Sequence, residues 1–246
     1  MRTTLKTEDV NELLNQELSQ ANSVLDKFVY SCSHDLKGPL ASIKGLIRLA
    51  EKSSNDDTTG ECLKLINESV ERMDHFLKSL ESFVANARGP IVSTPIDFTN
   101  TIAKVLEHHQ EYTRTHKIKL KVRIKQEDKF ISDQLRLNLI LSHLIHNAVT
   151  FQDLKKTEKF VDIEVRVEKQ YAVIEICDNG EGIAREDLND IFQMFHRSSE
   201  ASKGSGLGLY IVQESVNKLE GEISVASSKG VGSNFVIKIP NYLNKF

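Results

Sequence analysis

The chain has 246 residues, of which 39% are hydrophobic, and its 32 basic and 35 acidic side chains leave a formal charge of −3. This composition is typical of a soluble protein with one large domain or two small ones, and the absence of a long basic block argues against nucleic-acid binding. The 3 cysteines have no paired spacing, no apolar run approaches the length of a membrane span, and the polar start excludes an ordinary secretory signal. We therefore expect a cytoplasmic protein that makes no membrane contact of its own.

A long first helix is predicted from the spacing of apolar residues. Up to Cys32 the steps alternate between four and three, which is the seam of a coiled coil, and beyond Cys32 they become four, four and three. This change is a stutter, which locally unwinds a supercoil. The apolar positions are Leu14, Leu18, Ala21, Leu25, Phe28, Cys32, Leu36, Leu40, Ile43, Ile47 and Ala50.

The stutter coincides with Gly38 and Pro39, which stand side by side within this helix. In a helix interior these residue types cost about 1 and about 3 kcal/mol relative to Ala, so a purely structural helix should lack them. Pro39 cannot donate a backbone hydrogen bond to the carbonyl of Asp35, and its ring crowds that carbonyl. We therefore predict a bend, and a hinge, one turn after His34.

A second helix is predicted after the polar turn at 51–60, ending near Arg88 and Gly89. Two helices with one apolar stripe each cannot bury both stripes as an isolated hairpin, whereas two hairpins can form a four-helix bundle. We therefore expect a homodimer; the alternative is that the hairpin packs on the rest of its own chain. The stripe of the second helix consists of Leu63, Ile66, Val70, Met73, Leu77, Leu80, Val84 and Ala87.

A different architecture is predicted after the Pro- and Gly-containing linker at 89–95. Strict alternation of apolar residues predicts strands, and helical periodicity predicts helices between them. Alternation predicts strands at 117–125, 161–167 and 235–239, the apolar run at 171–177 is predicted as a further strand, and the helices lie at about 100–115, 135–150 and 208–219. This arrangement favours a sheet covered by helices, an α/β sandwich, and we place the two domains at 1–92 and 93–246.

Three polar motifs of the second domain lie where a predicted strand or helix begins or ends. "DNGEGI" at 178–183 places a carboxylate and two glycines where a strand ends, "HNAVTF" at 146–151 closes a helix, and "GSGLGL" at 204–209 begins one. Glycines at a helix start let backbone N–H groups approach phosphate oxygens. The spacing is not a dinucleotide-binding fingerprint, because these last glycines follow a polar loop and not a strand.

Five segments, in order along the chain, resemble the sequence boxes of sensor histidine kinases of two-component systems. "SHDLKGPL" is similar to the phospho-acceptor box, and "HLIHNA", "DNGEGI", "IFQMFHR" and "GSGLGL" are similar to the N, G1, F and G2 boxes; "SSKGVGSNFVIKIP" resembles the closing segment. The resemblance covers nearly the whole chain. It implies an α+β fold, with a long helical hairpin forming a dimeric four-helix bundle, followed by an α/β sandwich ATP-binding domain of the gyrase, chaperone and histidine kinase type.

By this resemblance, His34 is the residue that is phosphorylated. It lies two residues from Cys32 and from Leu36, which at about 100° per residue turns it roughly 200° away from the apolar seam and toward solvent. A neutral imidazole can attack a phosphoryl group through one ring nitrogen. The resemblance assigns Asp35 to accept a hydrogen bond or proton from the other nitrogen. The alternative for Asp35 is an ordinary exposed helix carboxylate.

The resemblance also implies a site for ATP and Mg²⁺. It assigns the Asp178 carboxylate to the adenine amino group, Gly180 and Gly182 to the space that the base needs, and the Asn147 amide oxygen to Mg²⁺. The other assigned residues are Phe192 and Phe195 beneath a mobile lid at about 184–205, Arg197 and Lys203 for phosphate charge, and Gly204, Gly206, Leu207 and Gly208 in the phosphate-binding turn. The alternatives are a helix cap for the Asn, core packing for the two Phe and surface solvation for the two cations.

The sequence departs from the family pattern in two regions. In the N box, His143 and Phe151 replace an Asn and a Tyr, and Thr150 replaces a Lys. The lost Lys removes an expected phosphate contact, which predicts low ATP affinity or turnover unless another cation compensates. Gly38 stands where many members carry a Thr or Asn that orients water for dephosphorylation, so we expect weak phosphatase activity.

The expected function is that of a protein histidine kinase, which autophosphorylates His34 and passes the phosphoryl group to an Asp of a response-regulator receiver domain. Any sensor module is expected upstream, outside this chain. One alternative is a degenerate kinase that acts as a dimeric nucleotide-binding scaffold, an alternative that Thr150 supports. Another is a gyrase- or chaperone-like ATPase, which needs a carboxylate base one turn before Asn147, where this chain has His143.

Overall fold

The computed structural model describes residues 7–53, 56–197 and 204–244, with side chains from Phe28 to Leu243 within these ranges. The first two helices form a hairpin, in which α1 spans Thr7–Lys52 and α2 spans Asp56–Arg88. The predicted polar turn is shorter than expected because α2 already begins at Asp56. Asp56 and Asp57 in the first turn of α2 favour this start, since negative charge stabilises a helix N-terminus.

Helix α1 runs through Gly38 and Pro39 as a single helix. The predicted hinge at this position stays a prediction. The first part of the predicted coiled-coil seam lies within α1, but its side chains are outside the described ones. These residues are Leu14, Leu18, Ala21 and Leu25.

The hairpin buries only part of its apolar surface. In α2, Cys62 and Phe76 are buried, with 3% and 4% exposure, whereas Val70 and Leu77 are 49% and 45% exposed. The same division occurs in α1, where Leu40 is 44% exposed. The apolar stripes are therefore wider than the two helices of one hairpin can cover.

The rest of the described chain alternates strands and helices. The elements are β1 (Ser93–Pro95), α3 (Phe98–Glu107), α4 (Gln110–Thr115), β2 (Ile118–Gln126), β3 (Ile131–Asp133), α5 (Gln134–Thr150), β4 (Lys159–Val167), β5 (Tyr171–Asp178), α6 (Gly208–Lys218), β6 (Glu222–Ser228) and β7 (Gly232–Pro240), followed by a 3₁₀ turn at Tyr242–Asn244. Five strands form a mixed sheet in the order β2-β4-β5-β7-β6, in which β2 and β4 are parallel and the other neighbours antiparallel. β1 and β3 form a separate antiparallel pair.

One face of the five-stranded sheet forms the core with α3, α5 and α6. Alternate residues of the central strands, such as Ile163 in β4 and Ile174 in β5, have no exposed surface, and Leu141 of α5 is equally buried. The predicted α/β sandwich is thereby confirmed. The single helix expected at about 100–115 is two helices, because His109 has φ −109° and ψ −1° and interrupts the helical geometry.

The last turn of α2 is held by two cations from α5 and α6. Arg136 is fully buried, forms a 2.8 Å ion pair with Asp133, and donates hydrogen bonds to three carbonyl oxygens that end α2 or follow it. Lys218 donates to two carbonyl oxygens of the same turn. The acceptors are Asn86, Ala87, Gly89 and Pro90. These bonds satisfy carbonyl groups that a helix C-terminus otherwise leaves without partners.

The chain divides into two compact units, Met1–Leu77 and Lys78–Phe246. This division lies before the domain boundary that the sequence predicts at 92 and 93, because the end of α2 is bonded to Arg136 and Lys218. The boundary itself stays a prediction. Among the residues that the structure describes, no helix combines the length and the apolar character needed to cross a membrane.

Candidate phospho-acceptor and nucleotide-binding sites

His34 lies on the solvent side of α1, as its distance from the apolar seam predicts. Its side chain is 68% exposed, whereas that of Asp35 is 11% exposed. Nδ1 of the imidazole lies 3.2 Å from Oδ1 of Asp35, and the ring stacks on Tyr30 one turn earlier. A carboxylate at this distance favours the tautomer with the proton on Nδ1, which leaves the lone pair of Nε2 for attack on an electrophile.

Asp178 ends β5 as a largely buried carboxylate. Its Oδ1 accepts a 2.7 Å hydrogen bond from the backbone N–H of Gly180, and the backbone N–H of Ser233 also donates to the carboxylate. Burial raises the pKa of Asp178 to about 6, although both hydrogen bonds and the charge of Lys156 lower it. At neutral pH the group is therefore mostly ionised and can accept a hydrogen bond from a ligand.

The glycines of the "DNGEGI" loop bring three chain segments into contact. A Cβ on Gly180 would overlap the carbonyl oxygen of Phe151 at the end of α5, and a Cβ on Gly182, which has φ +64°, would overlap Ser228 at the end of β6. The backbone N–H of Glu181 donates to the same Phe151 carbonyl at 2.9 Å. The two glycines thus allow close backbone approach here, and their role in leaving space for a base stays a prediction.

Helix α5 carries the N-box residues, and α6 packs beside it. The backbone carbonyl of Asn147 accepts the hydrogen bond that ends α5, and its side chain is half-buried. A Cβ on Gly208 would lie 3.3 Å from Nδ1 of His143, so this imidazole faces the first residue of α6. The hydroxyl of Thr150 lies 3.4 Å from Nε2 of His146. Position 150 therefore supplies a hydroxyl, and no cation, to this helix face.

The turn before α6 depends on Gly206. Gly206 has φ +67°, a Cβ there would overlap the backbone of Phe195, and its carbonyl accepts a 3.0 Å hydrogen bond from the Phe195 N–H. Leu207 is fully buried and anchors the turn. The exposed Arg197 donates to the carbonyl of Gly204 at 3.2 Å. The structure thus brings together these four predicted site residues and Leu207.

The predicted lid at 184–205 is described at 184–197 and 204–205. Within it, Phe192 is partly buried against the core. Lys203 lies outside the described residues. His34 and Asp35 belong to the other compact unit.

Comparison with known protein families gives one match for the segment that contains His34 and another for the segment that contains Asp178. Residues 24–86, which include the His34–Asp35 pair, match the family model of the His Kinase A (phospho-acceptor) domain. Residues 132–243, which include Asn147 and Asp178, match that of the histidine kinase-, DNA gyrase B- and HSP90-like ATPases. The chain belongs to the sensor histidine kinases. It is a histidine kinase core of the two-component type, and the resemblance seen in its sequence boxes is confirmed.

Individual relatives agree with this assignment. The chain is 28% identical over 249 residues to the autoinducer 2 sensor kinase/phosphatase LuxQ of Vibrio harveyi, and the match covers 97% of this chain but 29% of LuxQ. The kinase core thus spans less than a third of the length of this relative. The fold of the present chain is similar to that of the histidine kinase ThkA in complex with the response regulator TrrA. The TM-score is 0.70 at 18% identity, and the match covers 98% of this chain and 68% of the other. The fold is also similar to that of full-length ShkA in complex with AMPPNP, with a TM-score of 0.60, 22% identity, and 87% and 46% covered.

The described residues of the kinase core contain no group of three or more His, Cys, Asp and Glu side chains arranged to hold a metal ion. Mg²⁺ at a nucleotide site takes few protein ligands, because phosphate oxygens and water complete its octahedron. A single amide oxygen from Asn147, which is half-buried on α5, fits such a donor set.

The residues assigned from the sequence boxes leave out two that hold the loop after β5, beside Asp178. Asn179 donates a 2.9 Å hydrogen bond to the carbonyl of Glu158 and accepts one of 2.8 Å from the N–H of Phe160. Lys156 donates hydrogen bonds to backbone carbonyls around Asp178. Asn179 lies within the quoted G1 box, so its place was visible, whereas Lys156 is one of several lysines in a polar segment and carries no pattern of its own.

Proposed function

We propose that the kinase core is an ATP-dependent protein histidine kinase that phosphorylates its own His34. The observation that carries this proposal is the contact of His34 with Asp35, which leaves an exposed imidazole with its Nδ1 directed at a carboxylate. Nε2 attacks the γ-phosphorus of ATP, the bond from that phosphorus to the bridging oxygen breaks, and ADP leaves. The proton stays on Nδ1, where Asp35 offsets the positive charge that develops on the ring.

The nucleotide-binding residues have distinct roles in this proposal. The ionised Asp178 accepts a hydrogen bond from the adenine amino group, which selects adenine over guanine because guanine presents a carbonyl at that edge. Asn147 binds Mg²⁺, which when present draws negative charge from the phosphate oxygens. Arg197 and Lys203 supply positive charge that offsets the negative charge of the phosphate groups. The turn from Gly204 through Gly206 and Leu207 to Gly208 offers backbone N–H groups to the phosphate oxygens.

Labelling with γ-³²P-ATP tests the phosphorylated residue. We expect the wild-type chain to acquire an acid-labile, base-stable label and the variant His34→Gln to acquire none. His108→Gln removes another exposed imidazole and is the matched control, which should label like the wild type. Equal labelling of His34→Gln and the wild type would refute the assignment, and release of free phosphate without protein label would favour a gyrase-like ATPase.

We further propose that the phosphoryl group passes to an Asp of a response-regulator receiver domain in the cytoplasm. Support comes from the fold shared with ThkA, whose structure contains the response regulator TrrA. Gly38 and Pro39 would let α1 bend while His34 meets first ATP and then the receiver. The variant Pro39→Ala should therefore slow labelling or transfer, and unchanged rates for both would refute the hinge.

The exposed apolar stripe of the hairpin supports a homodimer. Val70 and Leu77 of α2 and Leu40 of α1 are nearly half exposed in the single chain, and a second hairpin would cover them as a four-helix bundle. Sedimentation should give twice the 27.8 kDa chain mass. The double variant Val70→Glu with Leu77→Glu should sediment as a monomer, while Lys64→Glu, at an exposed polar position of the same helix, should not. A monomeric wild type would refute the proposal.

A degenerate kinase that serves as a dimeric nucleotide-binding scaffold is the second candidate. It is favoured by Thr150, which contacts His146 and brings no cation where the N box usually has one. Wild-type protein that binds ADP and dimerises, yet acquires no label under the conditions above, would support this function over the first.

A further inference from the structure

The ammonium group of Lys156 is surrounded by backbone carbonyl oxygens. Nζ lies 2.6 Å from the carbonyl oxygen of Asn179, 3.2 Å from that of Gly180 and 3.1 Å from that of Val231. An ammonium has three N–H donors, so each donor has an acceptor. A solvated surface lysine would have water in these places, and the neighbouring Lys155 is an exposed residue of that kind.

The three carbonyls belong to the two chain segments that flank Asp178. Asn179 and Gly180 follow it directly, and Val231 lies in the turn between β6 and β7, two residues before Ser233, which pairs with Asp178 across the sheet. The turn approaches so closely that a Cβ on its next residue, Gly232, would overlap the Asp178 carbonyl. Lys156 therefore bonds to both of the chain segments that flank this carboxylate.

The position of Lys156 is itself fixed by its loop. Its backbone N–H donates to the carbonyl of Asp153 at 3.1 Å, and its carbonyl accepts a hydrogen bond from Lys159. The side chain of Asn179 bonds to the same loop, at Glu158 and at the start of β4. The ammonium thus approaches the carbonyls from an ordered segment.

We propose that Lys156 is a positioning residue of the nucleotide site, which holds the loop after β5 against the turn before β7 and keeps a positive charge beside the adenine-binding carboxylate. This inference rests on the proposed role of Asp178 in binding adenine. It assigns to Lys156 two separable effects, one on the geometry of the loop and one on the ionisation of Asp178.

The electrostatic effect has a physical basis in the surroundings of Asp178. Burial raises the pKa of this carboxyl, whereas the backbone hydrogen bonds from Gly180 and Ser233, and after them the charge of Lys156, lower it. The groups facing it from β4 and β7, Val161 and Ser233, are uncharged, and the adjacent Cys177 is a thiol whose own pKa burial raises. Lys156 is thus the cation, among the described residues, that favours the ionised form of Asp178.

Three variants of the full chain separate the two effects. Lys156→Met removes both the positive charge and the hydrogen-bond donors. Lys156→Arg keeps the charge, but its planar guanidinium cannot donate to three converging carbonyls in the same way. Lys155→Met is the matched control. The pKa of Asp178 is read in the ligand-free protein from a carbon-13 titration, in which Asp178→Asn identifies its carboxyl signal. ADP affinity is measured by calorimetry at pH 7.5.

We expect Lys156→Met to raise the pKa of Asp178 and to weaken ADP binding at least tenfold. Lys156→Arg should restore the wild-type pKa while ADP binding stays weaker than in the wild type, and Lys155→Met should change neither. An unchanged Asp178 pKa in Lys156→Met would overturn the inference. If Lys156→Met does not fold, a raised Asp178 pKa in Lys156→Arg would overturn it. Failure of the wild type to bind ADP would refute the proposed function instead, and the pKa comparison in the free protein would still test Lys156.

Discussion

The proposed phospho-acceptor site and the proposed nucleotide site of this kinase core differ in the range of the contacts that form them. The contacts described for His34 lie on α1 itself, since Asp35 is the next residue and Tyr30 is one turn earlier. The surroundings of Asp178 come from the end of α5, the loop after it and the turn between β6 and β7, as the contacts of Lys156 show. Substitutions at His34 should therefore reduce function without reducing the stability of the fold. Substitutions around Asp178 should affect folding and ligand binding together.

The largest stability effect is expected at Arg136, which joins α5 to the end of α2. Replacing it with Met leaves Asp133 buried without its cation and removes the hydrogen bonds that Arg136 donates to three carbonyls near the end of α2. Breaking a buried ion pair in this way typically costs about 3–5 kcal/mol. Urea unfolding followed by circular dichroism should show this loss. Arg88→Met, at an exposed position in the same turn of α2, should stay within about 0.5 kcal/mol of the wild type, and a similar result for Arg136→Met would contradict the comparison.

Asp178 should carry a stability cost that depends on pH. Its folded pKa of about 6 lies above the ordinary value of 3.8, so the cost of ionising it in the folded state is absent below about pH 4 and complete above pH 6. Asp178→Asn should therefore raise the free energy of unfolding at pH 7.5 by up to about 3 kcal/mol, with a smaller gain toward pH 4.5, while adenine binding is lost.

The measurement for Asp178 is urea unfolding of both proteins at pH 4.5 and 7.5. Glu127→Gln is the control, because this carboxylate is exposed and should give nearly the same small change at both values. A gain in Asp178→Asn that does not depend on pH would show that ionisation is not its cause.

A smaller effect, on activity, is expected at Gly38 in the hairpin. An added Cβ would meet no atom within 4 Å, so a side chain fits there. Gly38→Thr should accelerate loss of phosphate from the phosphorylated regulator about tenfold or more, because a hydroxyl at this position can orient the attacking water. Gly38→Ala adds the carbon without the hydroxyl and should not. Strong phosphatase activity in the wild type would refute the expected weakness; the relative LuxQ is named a sensor kinase/phosphatase.

The smallest stability effect is expected at His34 itself. The side chain is exposed and its described contacts lie on its own helix, so His34→Gln should change the free energy of unfolding by no more than about 0.5 kcal/mol and leave ADP affinity unchanged. Thermal unfolding with and without ADP measures both. A large loss of stability would mean that the site is not local, and the contrast between the two sites would fail.

Much of the fold followed from patterns that have a short period. Alternation predicted β2, β4 and β7, an apolar run predicted β5, and helical spacing predicted α5 and α6, because each pattern reflects which side chains of one element are buried. The break between α3 and α4 was missed, since the interruption at His109 is a backbone feature without a Gly or Pro to mark it. The early start of α2 was missed because residues 56–60 are polar and lack the apolar spacing from which this helix was predicted.

The sequence by itself determined which family boxes are present and that His34 faces away from the apolar seam, because these depend on residues close together along the chain. The tertiary structure decided what surrounds Asp178: Lys156 beside it, the backbone of Phe151 and Ser228 against its glycines, and the burial that raises its pKa. It also decided that the end of α2 bonds to Arg136 and Lys218. These contacts join segments that are far apart in the sequence. The local spacing of residues cannot predict which carbonyl oxygen a distant cation will bond to.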